Sequence, residues 1–158
     1  MMRKFGWIAL LTLILDQLSK LAARQLTGAV VLIPGVVGLR YAENTGMAFS
    51  LLSGRPWLLG ILSAVLITAG WLVLRRYRLG TLASIAAMLM LGGAVGNMID
   101  RLLNGYVVDM FEILFVDFAI FNVADAALTV GCALMAWSLL FRPEDWSEKH
   151  GSTKGDPV

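Results

Sequence analysis

Four long apolar runs constrain this chain more than any other feature of its sequence. Residues 5–23, 57–74, 79–99 and 120–141 each approach the ~20 residues that a helix needs to cross a bilayer. The composition agrees, because 58% of the residues are hydrophobic and only 15% are charged, against about 25% charged in soluble domains. We therefore predict an α-helical membrane protein with four transmembrane helices.

The first run could alternatively be a removable signal peptide, because Arg3 and Lys4 precede it. However, Asp16 and Lys20 interrupt its apolar core, and no small-residue cleavage site follows cleanly. We therefore expect the run to be retained as the first span.

Basic residues indicate the orientation of the spans. They precede the first run, separate the second from the third and follow the fourth: Arg3, Lys4, Arg75, Arg76, Arg78 and Arg142. The positive-inside rule then places both termini in the cytoplasm. We predict a single membrane domain over residues 1–141, with outer loops at about 24–56 and 100–119, and a disordered polar tail over 142–158.

The outer loops have patterns of their own. Residues 30–41 contain β-branched runs split by Pro34 and Gly35, which predicts a short hairpin. Residues 107–118 are again strand-like, and the apolar segment 47–52 could lie in the membrane interface. Two interpretations stay open: a sheet that rests on the bilayer and receives a substrate from lipid, or a structural cap.

Polar residues within or beside the apolar runs fall at one side of the membrane. They are Asp16, Lys20, Asn97, Asp100, Arg101, Asn122 and Asp125. Because the direction of successive helices alternates, all of them are expected near the outer surface. Acids near hydrocarbon are costly and are functional candidates by default, so we predict one polar site there.

Spacing suggests which of these residues share a helix face. Asp16 and Lys20 are four residues apart and can pair, which favours a supporting ion pair over direct chemistry. A serine–lysine hydrolase built on Ser19 and Lys20 is disfavoured, because adjacent residues on a helix point in different directions.

The third run carries a second group of candidates at its end. Asn97 and Arg101 lie four apart on one face, while Asp100 and Arg101 could instead be an ordinary helix-end pair. Gly92 and Gly96 have the GxxxG spacing, which is typical of helix packing rather than catalysis.

Asp109 and Asp125 form the candidate catalytic pair. Two carboxyl groups held close together resist double ionisation and can share one proton, as in aspartic proteases. Asn122 lies three residues before Asp125, either on the same helical face or as an N-cap. The alternative is a loop acid and a capping acid that never meet.

Other chemistry is disfavoured by the composition. His150 is the only histidine and lies in the polar tail, and Cys132 lies within the fourth run. No metal or organic cofactor is expected. The net charge of +2 gives no support for nucleic-acid binding.

The ordered motifs together resemble the bacterial lipoprotein signal peptidase family (type II signal peptidases). The resemblance covers residues 16 to about 131 and rests on five stretches: 16–20 (DQLSK), 44–49 (NTGMAF), 93–101 (GAVGNMIDR), 108–109 (VD) and 121–125 (FNVAD). Several of these are weak alone, but five in order with suitable spacing are specific.

The resemblance implies a fold, an activity and a place in the cell. The implied fold is four transmembrane helices with a small extracytoplasmic β-cradle and a short interfacial helix, in the bacterial inner membrane. The implied activity is cleavage of diacylglyceryl-modified prolipoproteins on the amino side of the lipidated cysteine, by an aspartyl endopeptidase that needs no cofactor. Partners would be the lipidated substrate and membrane lipid, and we expect a monomer.

The resemblance also assigns roles to residues. Asp109 and Asp125 would be the catalytic dyad. The residues that would shape or support the site are Asp16, Lys20, Asn44, Asn97, Asp100, Arg101 and Asn122.

Two other functions are alternatives to this one. A proton-coupled transporter would use Asp16 or Asp125 as its protonation site, but it should carry its acids near the midplane and have short loops. A non-catalytic assembly factor would explain the GxxxG spacing but leaves the acids unused.

Overall fold

The structure is a computed structural model that describes residues 2–46 and 54–148. Four helices are long and apolar enough to cross a membrane: α1 (Gly6–Ala23), α2 (Pro56–Leu74), α3 (Thr81–Leu103) and α4 (Val123–Phe141). The prediction of four such helices is confirmed. The main difference in their limits is that α3 continues four residues past its predicted end, to Leu103.

Helix α3 is the centre of the bundle. Half of its most apolar window is buried, compared with 11% for α2. Small residues allow this close packing: a Cβ on Gly92 would lie 2.7 Å from the carbonyl oxygen of Ala9 in α1, and one on Gly93 would lie 2.5 Å from that of Ala124 in α4. The second glycine of the predicted GxxxG spacing, Gly96, also lies against α1, where an added Cβ would be 2.5 Å from the Asp16 Oδ2. The predicted packing role of this spacing is thus confirmed.

A three-stranded antiparallel sheet lies at one end of the bundle, called the sheet end below. Its strand order is β1 (Val30–Ile33), β2 (Val37–Asn44), β4 (Val107–Ile113). The predicted hairpin is confirmed, and its turn uses Gly35 at a φ of 71°, a conformation that glycine adopts without steric cost. The strand predicted in residues 107–118 is confirmed for its first seven residues.

Packing against the bundle fixes the sheet. Val108 and Met110 from β4 are buried together with Ala23 at the end of α1. An antiparallel bridge pairs Phe111 of β4 with Phe121, which lies two residues before the start of α4. The sheet therefore positions the middle of β4 beside the ends of three helices.

The other end of the bundle holds a second, two-stranded sheet that the sequence did not predict. Strand β3 (Tyr77–Leu79) pairs with β5 (Trp146–Glu148), which a 3-10 helix at Pro143–Asp145 precedes. The expectation of a disordered tail is therefore wrong for residues 142–148. The physical reason is that the tail is bonded and buried: the Gly80 N–H donates to the Asp145 carbonyl at 2.8 Å, and Trp146 packs against the apolar cluster around Leu79.

Two predictions fall outside the described residues. They are the apolar segment 47–52, which could lie in the membrane interface, and the part of the tail from residue 149 onward.

Candidate active site

Asp109 lies in the middle of β4 and is 2% exposed. Two side-chain amides hold its carboxylate. The Asn44 Nδ2 donates to Oδ2 at 3.0 Å, and the Asn122 Nδ2 donates to Oδ1 at 2.6 Å. Both oxygens therefore have a fixed partner, which sets the orientation of the carboxyl plane.

Asn122 connects Asp109 to Asp125. It is the N-cap of α4 and forms a capping box: its Oδ1 accepts from the Asp125 N–H at 2.9 Å, and its own N–H donates to the Asp125 Oδ2 at 3.2 Å. The N-cap interpretation is confirmed. Because the same residue also binds Asp109, Asn122 joins the two carboxyl groups to one helix terminus.

Asn97 holds the second oxygen of Asp125. Its Nδ2 donates to the Asp125 Oδ1 at 2.7 Å, and its Oδ1 accepts from Lys20 at 2.9 Å and from Asn122 at 3.2 Å. Asn97 therefore connects Asp125 to a buried cation.

Lys20 is at the centre of a buried group of charges. Its ammonium lies 2.8 Å from the Asp16 Oδ2 and 2.9 Å from the Asp100 Oδ2. The predicted pairing of Asp16 with Lys20 is confirmed. Asp100 pairs with Lys20 of α1, an arrangement that spacing along α3 does not reveal. Gln17 adds a hydrogen bond to the Asp16 Oδ2 at 3.1 Å.

Arg101 fixes the end of β2. Its Nη2 donates to the Gly46 carbonyl at 3.1 Å, and the Gly46 N–H donates to the Asn44 Oδ1 at 3.0 Å. Since Asn44 binds Asp109, Arg101 supports that carboxylate from a distance. Within the described residues, the buried Nε of Arg101 has no hydrogen-bond partner.

Burial raises the pKa of the Asp109 carboxyl to about 6. The hydrogen bonds from Asn44 and Asn122 and the charge of Lys20 lower this pKa, whereas the negative charge of Asp125 raises it. Asp109 is therefore a carboxyl group that exchanges its proton close to neutral pH, in the electrostatic field of a second one.

A cavity of about 480 Å³ runs between α2, α3 and α4. Asp125, Asn97 and Arg101 line its polar part. The remaining lining is mainly apolar and includes Leu66, Trp71, Leu91 and Leu128. The carboxylate pair thus borders a space that suits an apolar chain with one polar end.

All nine sequence-predicted site residues lie at the sheet end, connected by the contacts described above. Sequence reasoning gave no role to Gln17 or to Gly46, which acts through its backbone. The only signal for Gln17 is its polar side chain within the first apolar run. The described residues contain no group of three or more His, Cys, Asp or Glu that could hold a metal ion.

The fold and the site define the class of protein, which is a polytopic α-helical membrane protein with two linked carboxyl groups at one end of its bundle. Two solved structures, each described as a bacterial membrane enzyme, share this fold. One has a TM-score of 0.81 at 30% identity and covers 92% of each chain. The other has a TM-score of 0.77 at 31% identity, covering 86% of this chain and 92% of the other.

Sequence comparison gives the family. Residues 8–141 match the family described as Signal peptidase (SPase) II. A protein of Latilactobacillus sakei named lipoprotein signal peptidase is 42% identical over 85% of this chain and 92% of its own length. One of the same name from Streptococcus thermophilus is 40% identical over 92% of this chain and 94% of its own. The chain belongs to the signal peptidase II family.

Proposed function

We propose that this protein is a membrane aspartyl endopeptidase that removes signal peptides from diacylglyceryl-modified prolipoproteins, cutting on the amino side of the lipidated cysteine. Membership of the signal peptidase II family supports the coarser statement, a protease that removes signal peptides from prolipoproteins. The aspartyl mechanism rests on one observation: Asn122 binds Asp109 through its side chain and Asp125 through its cap.

The two carboxyl groups divide the chemistry. One is ionised and takes a proton from a water molecule as that water attacks the scissile carbonyl carbon. The other is protonated, donates a hydrogen bond to the carbonyl oxygen and helps deliver a proton to the leaving amine. The peptide C–N bond breaks, and the water oxygen remains in the new carboxyl terminus of the signal peptide. No covalent intermediate forms.

The surroundings favour a pair that holds one proton. The raised pKa of Asp109 and the nearby charge of Asp125 both oppose double ionisation near neutral pH. The titration belongs to the pair, so either aspartate can carry the proton at a given step. Asn44, Asn97 and Asn122 keep both carboxyl planes fixed while the proton moves.

The apolar cavity offers a place for the substrate. An apolar stretch of the signal peptide, or an acyl chain of the lipidated cysteine, can lie along Leu66 and Leu128 while the scissile bond reaches Asp125. Arg101 at the polar end is a candidate to orient a substrate carbonyl, because its Nε has no partner among the described residues.

The proposed orientation puts the sheet end outside the cytoplasm. Lys4, Arg75, Arg76, Arg78 and Arg142 all belong to the opposite end of the bundle, which the positive-inside rule assigns to the cytoplasm. The site would then act at the outer surface of the inner membrane, where the lipid anchor of the substrate stays in the bilayer.

The test is cleavage by purified protein in lipid or detergent. A diacylglyceryl-modified precursor should release its signal peptide, and the same precursor without the lipid should be cut far more slowly. Equal cleavage of both precursors would contradict the lipid requirement. Absence of cleavage, together with substrate-dependent proton flux in vesicles, would instead support transport.

A further inference from the structure

We infer that Lys20 is a positioning residue that sets the geometry of the Asp109–Asp125 pair. It acts through three chains of hydrogen bonds, called arms below, and each arm ends at a member of the pair or at the residue before one. The inference rests on the proposed function, because it explains how the pair is held rather than what it does. We call Lys20, Asp16, Asp100 and Asn97 the lysine hub.

The hub uses all the hydrogen-bonding capacity of one ammonium group. A lysine ammonium has three donors, and here they face three acceptors: Asp16 at 2.8 Å, Asp100 at 2.9 Å and Asn97 at 2.9 Å. Lys20 is 2% exposed, Asp16 0% and Asp100 2%. The ammonium therefore has a single buried position.

Two of the arms end on backbone amides. The Asp16 Oδ1 accepts from the N–H of Ala124 at 2.9 Å, and Ala124 immediately precedes Asp125. The Asp100 Oδ2 accepts from the N–H of Val108 at 3.4 Å, and Val108 immediately precedes Asp109. Each acidic member of the hub thus holds the backbone one residue before one member of the pair.

The third arm ends on a carboxylate. Asn97 accepts from Lys20 through Oδ1 and donates from Nδ2 to Asp125 at 2.7 Å. Three contacts from one ammonium therefore reach α4 twice and β4 once. The hub therefore adds a further link between β4 and α4, beside the Asn122 hydrogen bonds and the Phe111–Phe121 bridge.

A structural ion pair alone does not require this arrangement. A buried pair is satisfied once its charges are neutralised and bonded, but the hub carries two carboxylates for one cation and so keeps a net negative charge. The second carboxylate is useful here because there are two backbone amides to hold. A misplacement of reacting groups by about 1 Å can cost about 10²-fold in rate.

The first experiment removes one arm at a time. Asp16→Asn and Asp100→Asn each keep a side-chain oxygen for the backbone amide but lose the charged bond to Lys20. We expect kcat, expressed per folded molecule, to fall about 10–100-fold, as it does when the residues that orient metal ligands are mutated, with KM within about twofold of wild type. Asp145→Asn is the matched control, because Asp145 is also buried but lies at the other end of α3, about 30 Å away along the helix; it should keep kcat.

The second experiment follows the acid limb of the pH–rate profile. Asp125, Lys20 and Arg101 are the charged groups that act on Asp109 from α4, α1 and α3. Lys20→Met makes the hub more negative and should move the limb to higher pH, whereas Asp100→Asn makes it less negative and should move the limb to lower pH. A merely structural role would reduce the yield of folded protein without lowering kcat per folded molecule, whereas the direction of the limb shift reports the charge that each variant removes beside the pair.

Three results would overturn the inference. They are folded hub variants with kcat within twofold of wild type, a loss in Asp145→Asn as large as theirs, or an acid limb that does not move. If Lys20→Met yields no folded protein, Asp16→Asn and Asp100→Asn carry the test alone. Asp109→Asn separates this inference from the proposed function: an active Asp109→Asn enzyme contradicts the dyad, whereas an inactive one beside fully active hub variants contradicts only the hub.

Discussion

Two buried polar clusters lie at opposite ends of the α3–α4 pair, and they differ in what surrounds their acids. At the sheet end, the lysine hub and Asn122 hold Asp109 and Asp125 beside a cavity. At the opposite end, the Asp145 carboxylate accepts from the Ser138 hydroxyl at 3.1 Å, and that hydroxyl accepts from the Trp146 indole at 3.1 Å. We call Ser138, Asp145 and Trp146 the tail cluster.

The comparison shows that burial of an acid does not by itself mark a functional site. Asp145 is 5% exposed and Asp109 is 2% exposed, yet only Asp109 is linked, through Asn122, to a carboxyl group that lines a cavity. The tail cluster ties the segment that follows α4 to the start of α3. The sheet-end cluster does the same for β4 and α4, and in addition leaves Asp125 facing a cavity that a substrate can enter.

The largest expected effect on stability comes from a series of glycine variants. A Cβ on Gly96 would lie 2.5 Å from the Asp16 Oδ2, one on Gly80 would overlap the Asp145 carboxylate, and one on Gly70 would have no atom of the described residues within 4 Å. We expect Gly96→Ala and Gly80→Ala each to lower the free energy of unfolding in detergent by about 1–3 kcal/mol or more, as overpacking does. Gly70→Ala should not lower it.

Activity then separates the two clusters. Gly96→Ala should also reduce kcat per folded molecule, because it displaces Asp16 and with it the start of α4. Gly80→Ala should keep kcat. A fully active Gly96→Ala enzyme, or an inactive Gly80→Ala enzyme, would break the distinction between a catalytic end and a structural end.

The pH dependence of stability gives a second contrast. The pKa of Asp109 is raised from 3.8 to about 6 in the folded protein, so the folded state binds this proton more tightly than the unfolded state. Its contribution to stability is fully present below about pH 4 and is lost as the pH rises to about 6, by on the order of 3 kcal/mol. Asp109→Asn should remove this component.

Measurement requires unfolding curves from pH 4 to pH 8 for wild type, Asp109→Asn and Asp145→Asn. The difference between wild type and Asp109→Asn should change through the window and level off above it. Parallel curves for these two proteins would show that Asp109 titrates at its ordinary pKa.

A smaller effect separates the two roles of Asn122. Serine is a good N-cap, whereas alanine is not, so Asn122→Ser should be more stable than Asn122→Ala by about 1 kcal/mol. Neither side chain can donate the amide hydrogen bond to Asp109, so both variants should lose kcat about 10²-fold or more. High activity in Asn122→Ser would mean that capping alone accounts for this residue.

The sequence predicted the elements better than the contacts between them. The four helices follow from uninterrupted apolar runs, and the hairpin follows from β-branched residues around Pro34 and Gly35. The pairing of Asp16 with Lys20 follows from a local spacing. These features depend on residues that are near each other in the chain.

Long-range contacts could not be predicted in the same way. Asp100 reaches Lys20 across 80 positions, and the Asp16 carboxylate accepts from a backbone amide, which leaves no trace in the identity of Ala124. The pairing of β3 with β5 was missed because both strands have three residues and lie in charged sequence. Tertiary packing alone brings these segments together.

The most direct test of the central claim is cleavage of the lipidated precursor by purified Asp109→Asn and Asp125→Asn. Both variants should insert normally and fold, and each should release no signal peptide above background. Near-normal turnover by either variant would contradict the claim that the two carboxyl groups work as a pair.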